Sequence, residues 1–224
     1  MLQFRSVDVH GQLGFLSGSV LCTGLLLCSA PTALTLSGDV AERTAAGLKA
    51  SPETRATIAN GNEGGRYELT PERRALLNTI RYAEGTWKEG KDKGYRIMYG
   101  GGQFRDLSRH PERVVMKRYS SAAAGAYQFL PKTWKGVARE LKLKSFEPRH
   151  QDQAALHLAK RRGALGEIDQ QGLTKDAMAK LAPEWASFPN RSGRSAYGQP
   201  VKSHQDLARF YSDNLQELRG QLGA

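Results

Sequence analysis

Glu84 is the side chain best placed to do chemistry. It stands in Arg81-Tyr82-Ala83-Glu84-Gly85-Thr86-Trp87, at the end of an apolar-periodic segment and just before a Gly-rich one. A carboxyl at a helix end that also lies on an apolar face is withdrawn from water. Burial raises its pKa until it can donate a proton near neutral pH. Protonation of a glycosidic oxygen requires such a group. The plain alternative is a solvated Glu at a helix C-terminus, and the pattern alone leaves both readings open.

A glycosidase that uses water usually needs a second carboxyl. Asp106 is the candidate second carboxylate, with Glu89 and Asp92 behind it. None of them sits in a segment as distinctive as that of Glu84, and most acidic loop residues are solvated turn formers. Gly100, Gly101 and Gly102 remove side-chain bulk where a sugar chain could approach the backbone; a bare hairpin tip is the alternative. Trp185 and Tyr197 offer ring faces for stacking on sugars, or for packing in a core. His110, His150, His157 and His204 are scattered without ligand spacing, so neither a metal nor another cofactor is expected.

The elements that must hold Glu84 are also readable. Thr70 is a fitting N-cap and Pro71 a fitting first helical residue. Leu76, Leu77, Ile80, Ala83 and Trp87 then recur at helical spacing. Glu84 follows Ile80 by four residues, which places it beside the apolar stripe. Downstream, Tyr95–Tyr99 and Gln103–Phe104 flank three glycines and predict a short hairpin. Pro131 opens a helix to about Leu141, with Trp134, Val137 and Ala138 inward. A helix over residues 149–162 turns Ala154, Ala155, Leu158 and Ala159 inward and stops at Gly163. A shorter one covers about Lys175–Leu181. The last begins at Ser203, with Asp206 completing a capping-box-like pair and Leu207, Phe210, Tyr211, Leu215 and Leu218 as its stripe.

The chain has 224 residues and a formal charge of +11, with 39% hydrophobic residues. That is enough apolar material for one core and too little for a multispan membrane protein. Residues 1–45 hold two arginines against three acids, so the positive excess lies beyond them. A basic surface attracts polyanions, among them cell wall, anionic lipid and nucleic acid. Leu13 to Leu27 is mostly apolar or small, short for a membrane span and suited to a signal-peptide core. Residues 1–35 are therefore read as a signal peptide or membrane-targeting leader. Residues 36–66 are read as a flexible linker and 67–221 as the folded domain. The expected location is exported, with an uncleaved anchor as the alternative. The only cysteines, Cys22 and Cys28, fall in the leader and suit neither a zinc site nor a disulfide framework.

Several segments in one order carry a resemblance over roughly residues 70–200. They are Glu84-Gly85-Thr86, Tyr95 to Phe104, Ser121 to Phe129, Gln151-Asp152, Arg162-Gly163-Ala164-Leu165, Trp185-Ala186-Ser187-Phe188-Pro189 and Tyr197-Gly198-Gln199. Together they resemble the lambda-type phage endolysins, soluble lytic transglycosylases of the lysozyme superfamily. The resemblance implies an α+β, lysozyme-like fold, mostly helical, with a small β-hairpin region beside the active-site cleft. It implies cleavage of the MurNAc-GlcNAc β-1,4 bond of peptidoglycan with formation of 1,6-anhydro-MurNAc, and Glu84 as the catalytic acid. Gly125-Ala126-Tyr127-Gln128 resembles the element that faces the catalytic Glu across the cleft. Gln128 and Tyr127 are thus expected at the substrate, with Tyr99, Gly101, Gly102, Trp185 and Tyr197. A core aromatic is the alternative for Tyr127. The expected partner is the peptidoglycan glycan strand, bound by a monomer whose membrane contact runs only through its leader and which does not take nucleic acid. Two other functions remain open at this point: a true lysozyme hydrolysing the same bond, and a non-catalytic basic protein that binds wall or nucleic acid.

Overall fold

A computed structural model describes residues 65–222. The leader and nearly all of the linker, with Cys22 and Cys28, lie outside the described residues. Six α-helices carry the domain: α1 Pro71–Ala83, α2 Pro131–Leu141, α3 Pro148–Arg161, α4 Leu165–Gln171, α5 Lys175–Leu181 and α6 His204–Leu222. A two-stranded antiparallel sheet joins β1 Val115–Met116 to β2 Ser120–Ser121, in the register Val115 to Ser121 and Met116 to Ser120. None of the described helices is long and apolar enough to cross a membrane.

Three helices begin on proline at the first helical position, where the missing N–H costs nothing. Thr70 caps α1 by accepting from the Arg73 N–H at 3.4 Å. Leu76, Leu77 and Ile80 are fully buried, and α1 packs chiefly along α6 while also meeting α3 and α4. Its polar residues are buried too, so each needs a partner. Asn78 Nδ2 donates to Asn214 Oδ1 of α6 at 2.7 Å. Arg74 Nη1 lies 2.7 Å from Asp152 Oδ2 of α3. The core continues through Trp134, Phe146, Leu156, Ile168, Met178, Phe188 and Leu207.

The last helix starts at His204, with Ser203 as its cap. Ser203 Oγ accepts from Asp206 N at 3.0 Å and pairs with the Asp206 carboxylate at 2.9 Å, as the capping pattern implied.

The reversal at the three glycines is present but short, held by one antiparallel bridge and by Phe104 N, which donates to Arg96 O at 3.0 Å. Gly100 and Gly101 adopt positive φ of 81° and 92° and fold Tyr99–Gly101 into a single 3₁₀ turn. Met98 N bonds Gly102 O at 2.7 Å, and only Ile97 and Gln103 form a bridge across it. The other edge of the same strand pairs with residues 123–125. Tyr99 N donates to Ala123 O and Gly125 N to Ile97 O, both at 2.8 Å. A separate two-stranded sheet, which the sequence did not announce, forms at residues 115–121. It is tied back to the glycine turn by Lys117 Nζ, which donates to Gly100 O at 2.9 Å.

Candidate active site

Glu84 is the C-cap of α1, and its N–H donates to Ile80 O at 2.9 Å. Gly85 then takes φ 73°, a left-handed turn natural to glycine. The reversal lets Thr86 N return to Arg81 O at 2.8 Å. Thr86 is buried, and its hydroxyl donates to Ala126 O at 2.5 Å. The backbone on either side of Glu84 is thus fixed to the helix and to the segment that carries Gln128.

Glu84 keeps part of its surface open to solvent, yet protein surrounds its carboxyl closely. Burial pushes its pKa up to about 7, while a hydrogen bond from Ser187 pulls the other way. Ser187 Oγ donates to Glu84 Oε1 at 2.6 Å. No charged group contributes to this shift among the described residues. Ser187 is itself held by its neighbours: Phe188 is fully buried, and Trp185 Nε1 donates to Tyr127 O at 3.1 Å.

Behind the site lies a buried polar cluster. Asp152 Oδ1 accepts from Tyr95 and Tyr127 hydroxyls at 2.8 and 2.5 Å, and its other oxygen meets Arg74. Gln151 is fully buried and clamps three backbones. Its Oε1 accepts from Ala126 N at 2.8 Å, and its Nε2 donates to Phe146 O and Tyr95 O at 2.7 and 3.1 Å. Arg81 lies over the rings of Tyr95 and Trp87, 4.7 and 5.1 Å from their centroids, and donates to Lys91 O at 2.9 Å.

Two expected sugar contacts are corrected by burial. Tyr127 is 1% exposed with its hydroxyl committed to Asp152, and Trp185 is 3% exposed with its indole N–H committed to Tyr127 O. Both are core aromatics that shape the site from behind. Tyr197 keeps an exposed ring while its hydroxyl donates to Pro183 O at 2.7 Å. Gly101 and Gly102 are exposed and Tyr99 half-buried. Gln128 takes φ 48°, and its Nε2 donates to Gly125 O and Ile97 O at 2.9 and 3.0 Å. Its Oε1 has no partner among the described residues and remains an acceptor.

Asp106 closes a turn of its own. Its Oδ1 accepts from Ser108 N at 2.8 Å, its side chain is well exposed, and bonds from Ser108 hold its carboxyl below the usual range. Glu89 is likewise exposed and held low by Lys91. His110 is buried against Phe146, donating from Nε2 to Phe129 O at 2.8 Å and accepting at Nδ1 from Glu112 N at 3.0 Å. Ser187, Thr86 and Asp152 stand in segments that the sequence made conspicuous, but nothing in residue type told their roles.

The helical domain, with one proton-poised carboxyl at the end of its central helix, has the character of a lysozyme-like glycosidase. The family model for Endolysin matches residues 74–218. The endolysin of Escherichia phage lambda is 37% identical over 150 residues, covering 64% of this chain and 91% of that protein. The endolysin of Escherichia phage P2 is 33% identical over 147 residues, covering 59% and 86%. The structure of bacteriophage lambda lysozyme complexed with a chitohexasaccharide superposes with a TM-score of 0.60 at 33% identity, over 66% of this chain and 96% of that one. The chain belongs to the Endolysin family. It is a peptidoglycan-degrading enzyme with a lysozyme-like fold.

Proposed function

We propose that the enzyme is a lytic transglycosylase that cuts the MurNAc-GlcNAc β-1,4 bond with Glu84 as its only acid–base group. The observation that carries this reading is the electrostatic isolation of Glu84. Burial raises its pKa to about 7 against the lowering effect of one hydroxyl, with no carboxylate contributing. A two-carboxyl hydrolase places its acidic pair about 5–9.5 Å apart, and in a partly dry site such a pair would perturb each other. Asp106 is exposed and closes its own turn, which fits a structural role better than a catalytic one. The chitohexasaccharide complex of lambda lysozyme supports a β-1,4-linked glycan as substrate.

The step then runs as follows. Protonated Glu84 gives its proton to the glycosidic oxygen, and the bond from C1 of MurNAc to that oxygen breaks. Ser187 stays on Oε1 and stabilises the carboxylate that forms. Glu84 next accepts the proton of the MurNAc C6 hydroxyl, whose oxygen closes on C1. The products are a free GlcNAc hydroxyl and a 1,6-anhydro ring, and Glu84 is protonated again. Holding C6 near C1 replaces an activated water. Gln128 Oε1, Gly101, Gly102, Tyr99 and the ring of Tyr197 are proposed to line the glycan. We also propose export through the leader at residues 1–35, action as a monomer and no role for nucleic acid.

Borohydride treatment of digested, purified wall tests the reading. Anhydro ends resist reduction, so muropeptides that stay unreduced are expected. Muropeptides that become reduced throughout would make the enzyme a hydrolase.

A further inference from the structure

Ser187 can serve Glu84 only if its own backbone is held, and it lies in turns outside every helix and strand. Three bonds from the stretch that follows land on carbonyls of its segment. Tyr197 Oη donates to Pro183 O at 2.7 Å, Ser195 Oγ to Ala186 O at 3.2 Å and Lys202 N to Ser187 O at 3.3 Å. Residues 191–200 are exposed, apart from half-buried Ser195, so the first two bonds hang on a stretch with little packing of its own. Lys202 differs, because its side chain is anchored on α1. Its ammonium sits over the ring of Tyr82, 4.5 Å from the centroid. Among the described residues no acid pairs with it. Tyr82 stands two residues before Glu84 and is itself fixed. It stacks on Phe210 of α6 with centroids 4.2 Å apart and planes at 3°, and Trp87 meets the same Phe210 edge-on at 5.6 Å.

We propose that Lys202 is a positioning residue for the proton transfer: with its ammonium on the ring beside Glu84 and its N–H on Ser187 O, it holds the Ser187 hydroxyl against the Glu84 carboxyl. The inference rests on Glu84 as the acid–base group. Donor and acceptor of that 2.6 Å bond lie 103 residues apart in the chain. Lys202 touches the segments of both, the helix end through its side chain and the serine through its backbone. A hydrogen bond weakens steeply as its distance and angle degrade, so a small drift of the Ser187 backbone would release the carboxyl. Lys202 acts by placement and not by its field, since no charged group contributes to the Glu84 shift. An ammonium over a tyrosine face is drawn by the ring quadrupole, which an arginine would also satisfy and a methionine would not. The competing role is a brace for the start of α6, because the next residue, Ser203, caps that helix.

The test is the pH–rate profile of the full chain on purified wall, with thermal midpoints taken on the same preparations. Lys202→Met keeps the bulk of the side chain and loses its attraction to the ring. Its alkaline limb should move up by about half a unit, because Ser187 then stabilises the Glu84 carboxylate less well. Lys202→Arg should return the limb to its place. In a chain that already carries Ser187→Ala, Lys202→Met should move the limb no further, since the hydroxyl through which it acts is gone. A limb that Lys202→Met leaves in place while the thermal midpoint falls would make Lys202 a brace for α6, and the proposal fails. It fails too if Lys202→Met moves the limb equally with and without Ser187, which would mean that the lysine reaches Glu84 by its charge. Glu84→Gln is measured alongside. If that chain keeps its turnover, the acid assignment is wrong and this inference goes with it. If Glu84→Gln is inactive and the Lys202→Met limb stays unmoved, the inference alone is overturned.

Discussion

At the scale of the residue, Glu84 is a carboxyl whose usefulness and cost share one cause. Burial lifts its folded pKa to about 7 from an ordinary 4.5, so near neutrality it is both a usable acid and a usable base. Glu84→Gln should lower wall turnover by about 10²–10⁴-fold with the fold intact, as circular dichroism and a wall-clearing assay would show. The same substitution should stabilise. Wild type keeps the stabilising effect of a protonated Glu84 below pH 4.5 and loses it as pH rises through about 7, because the native state binds the proton more tightly. Above pH 7 the variant should therefore be more stable by about 1–3 kcal/mol, and below pH 4.5 the two should match in denaturant titrations. Ser187→Ala removes a donor that favours the carboxylate. The falling alkaline limb of the pH–rate profile should move up by about one unit. The apolar stripe beside Glu84 left a solvated helix end open, and it was the run of segments downstream that singled the residue out. Ser187 was not legible, since it lies 103 residues away and a serine advertises nothing until the fold brings it near. Tyr127 and Trp185 were misassigned because a ring suits a sugar and a core equally well by type.

At the scale of the element, the site depends on a segment, residues 124–129, that is clamped rather than stacked. Gly125 has φ 82°, and a Cβ there would lie 2.3 Å from Gln151 Oε1 and 2.8 Å from Phe146 Cζ. Gly125→Ala should cost more than about 2 kcal/mol by thermal or chemical denaturation, since it is both strained and overpacked. Asp152→Ala leaves Arg74 buried without its partner and two hydroxyls without their acceptor. A loss of about 3–5 kcal/mol is expected from the same measurement. The longer helices were legible in sequence, because Pro71 and Pro131 open two apolar periods and Gly163 closes a third, which in the structure begins one residue earlier than expected, at Pro148. Helix α4 was missed: it spans seven residues and buries only Leu165 and Ile168, too few for a period to show. The glycine run marked its reversal correctly, whereas the two-stranded sheet at residues 115–121 was missed because strands of two residues are too short for an alternation to show.

At the scale of the whole molecule, the positive charge lies beyond residue 45 and much of it is exposed. Wall carries anionic peptides and polymers. Binding of intact wall should weaken as salt rises, because exposed charges are screened over about 8–10 Å at physiological ionic strength. Turnover of a short neutral glycan should change far less, since no charged group contributes to the Glu84 shift. The two salt curves can be taken on one preparation, and parallel curves would place the charge in the cleft itself. Fold class was readable at this scale because seven separated segments agreed in order. The leader at residues 1–35 and the linker at 36–66 remain readings of composition.

The central claim is that one carboxyl suffices and that no water enters the bond. Digestion of purified wall in water enriched in the heavy oxygen isotope tests it directly, with the released muropeptides weighed by mass spectrometry. Glu84 acting alone predicts anhydro products at natural isotope mass, with no label at C1. Heavy oxygen at the C1 of released MurNAc would mean that an activated water made the attack, and the account of the site would be wrong.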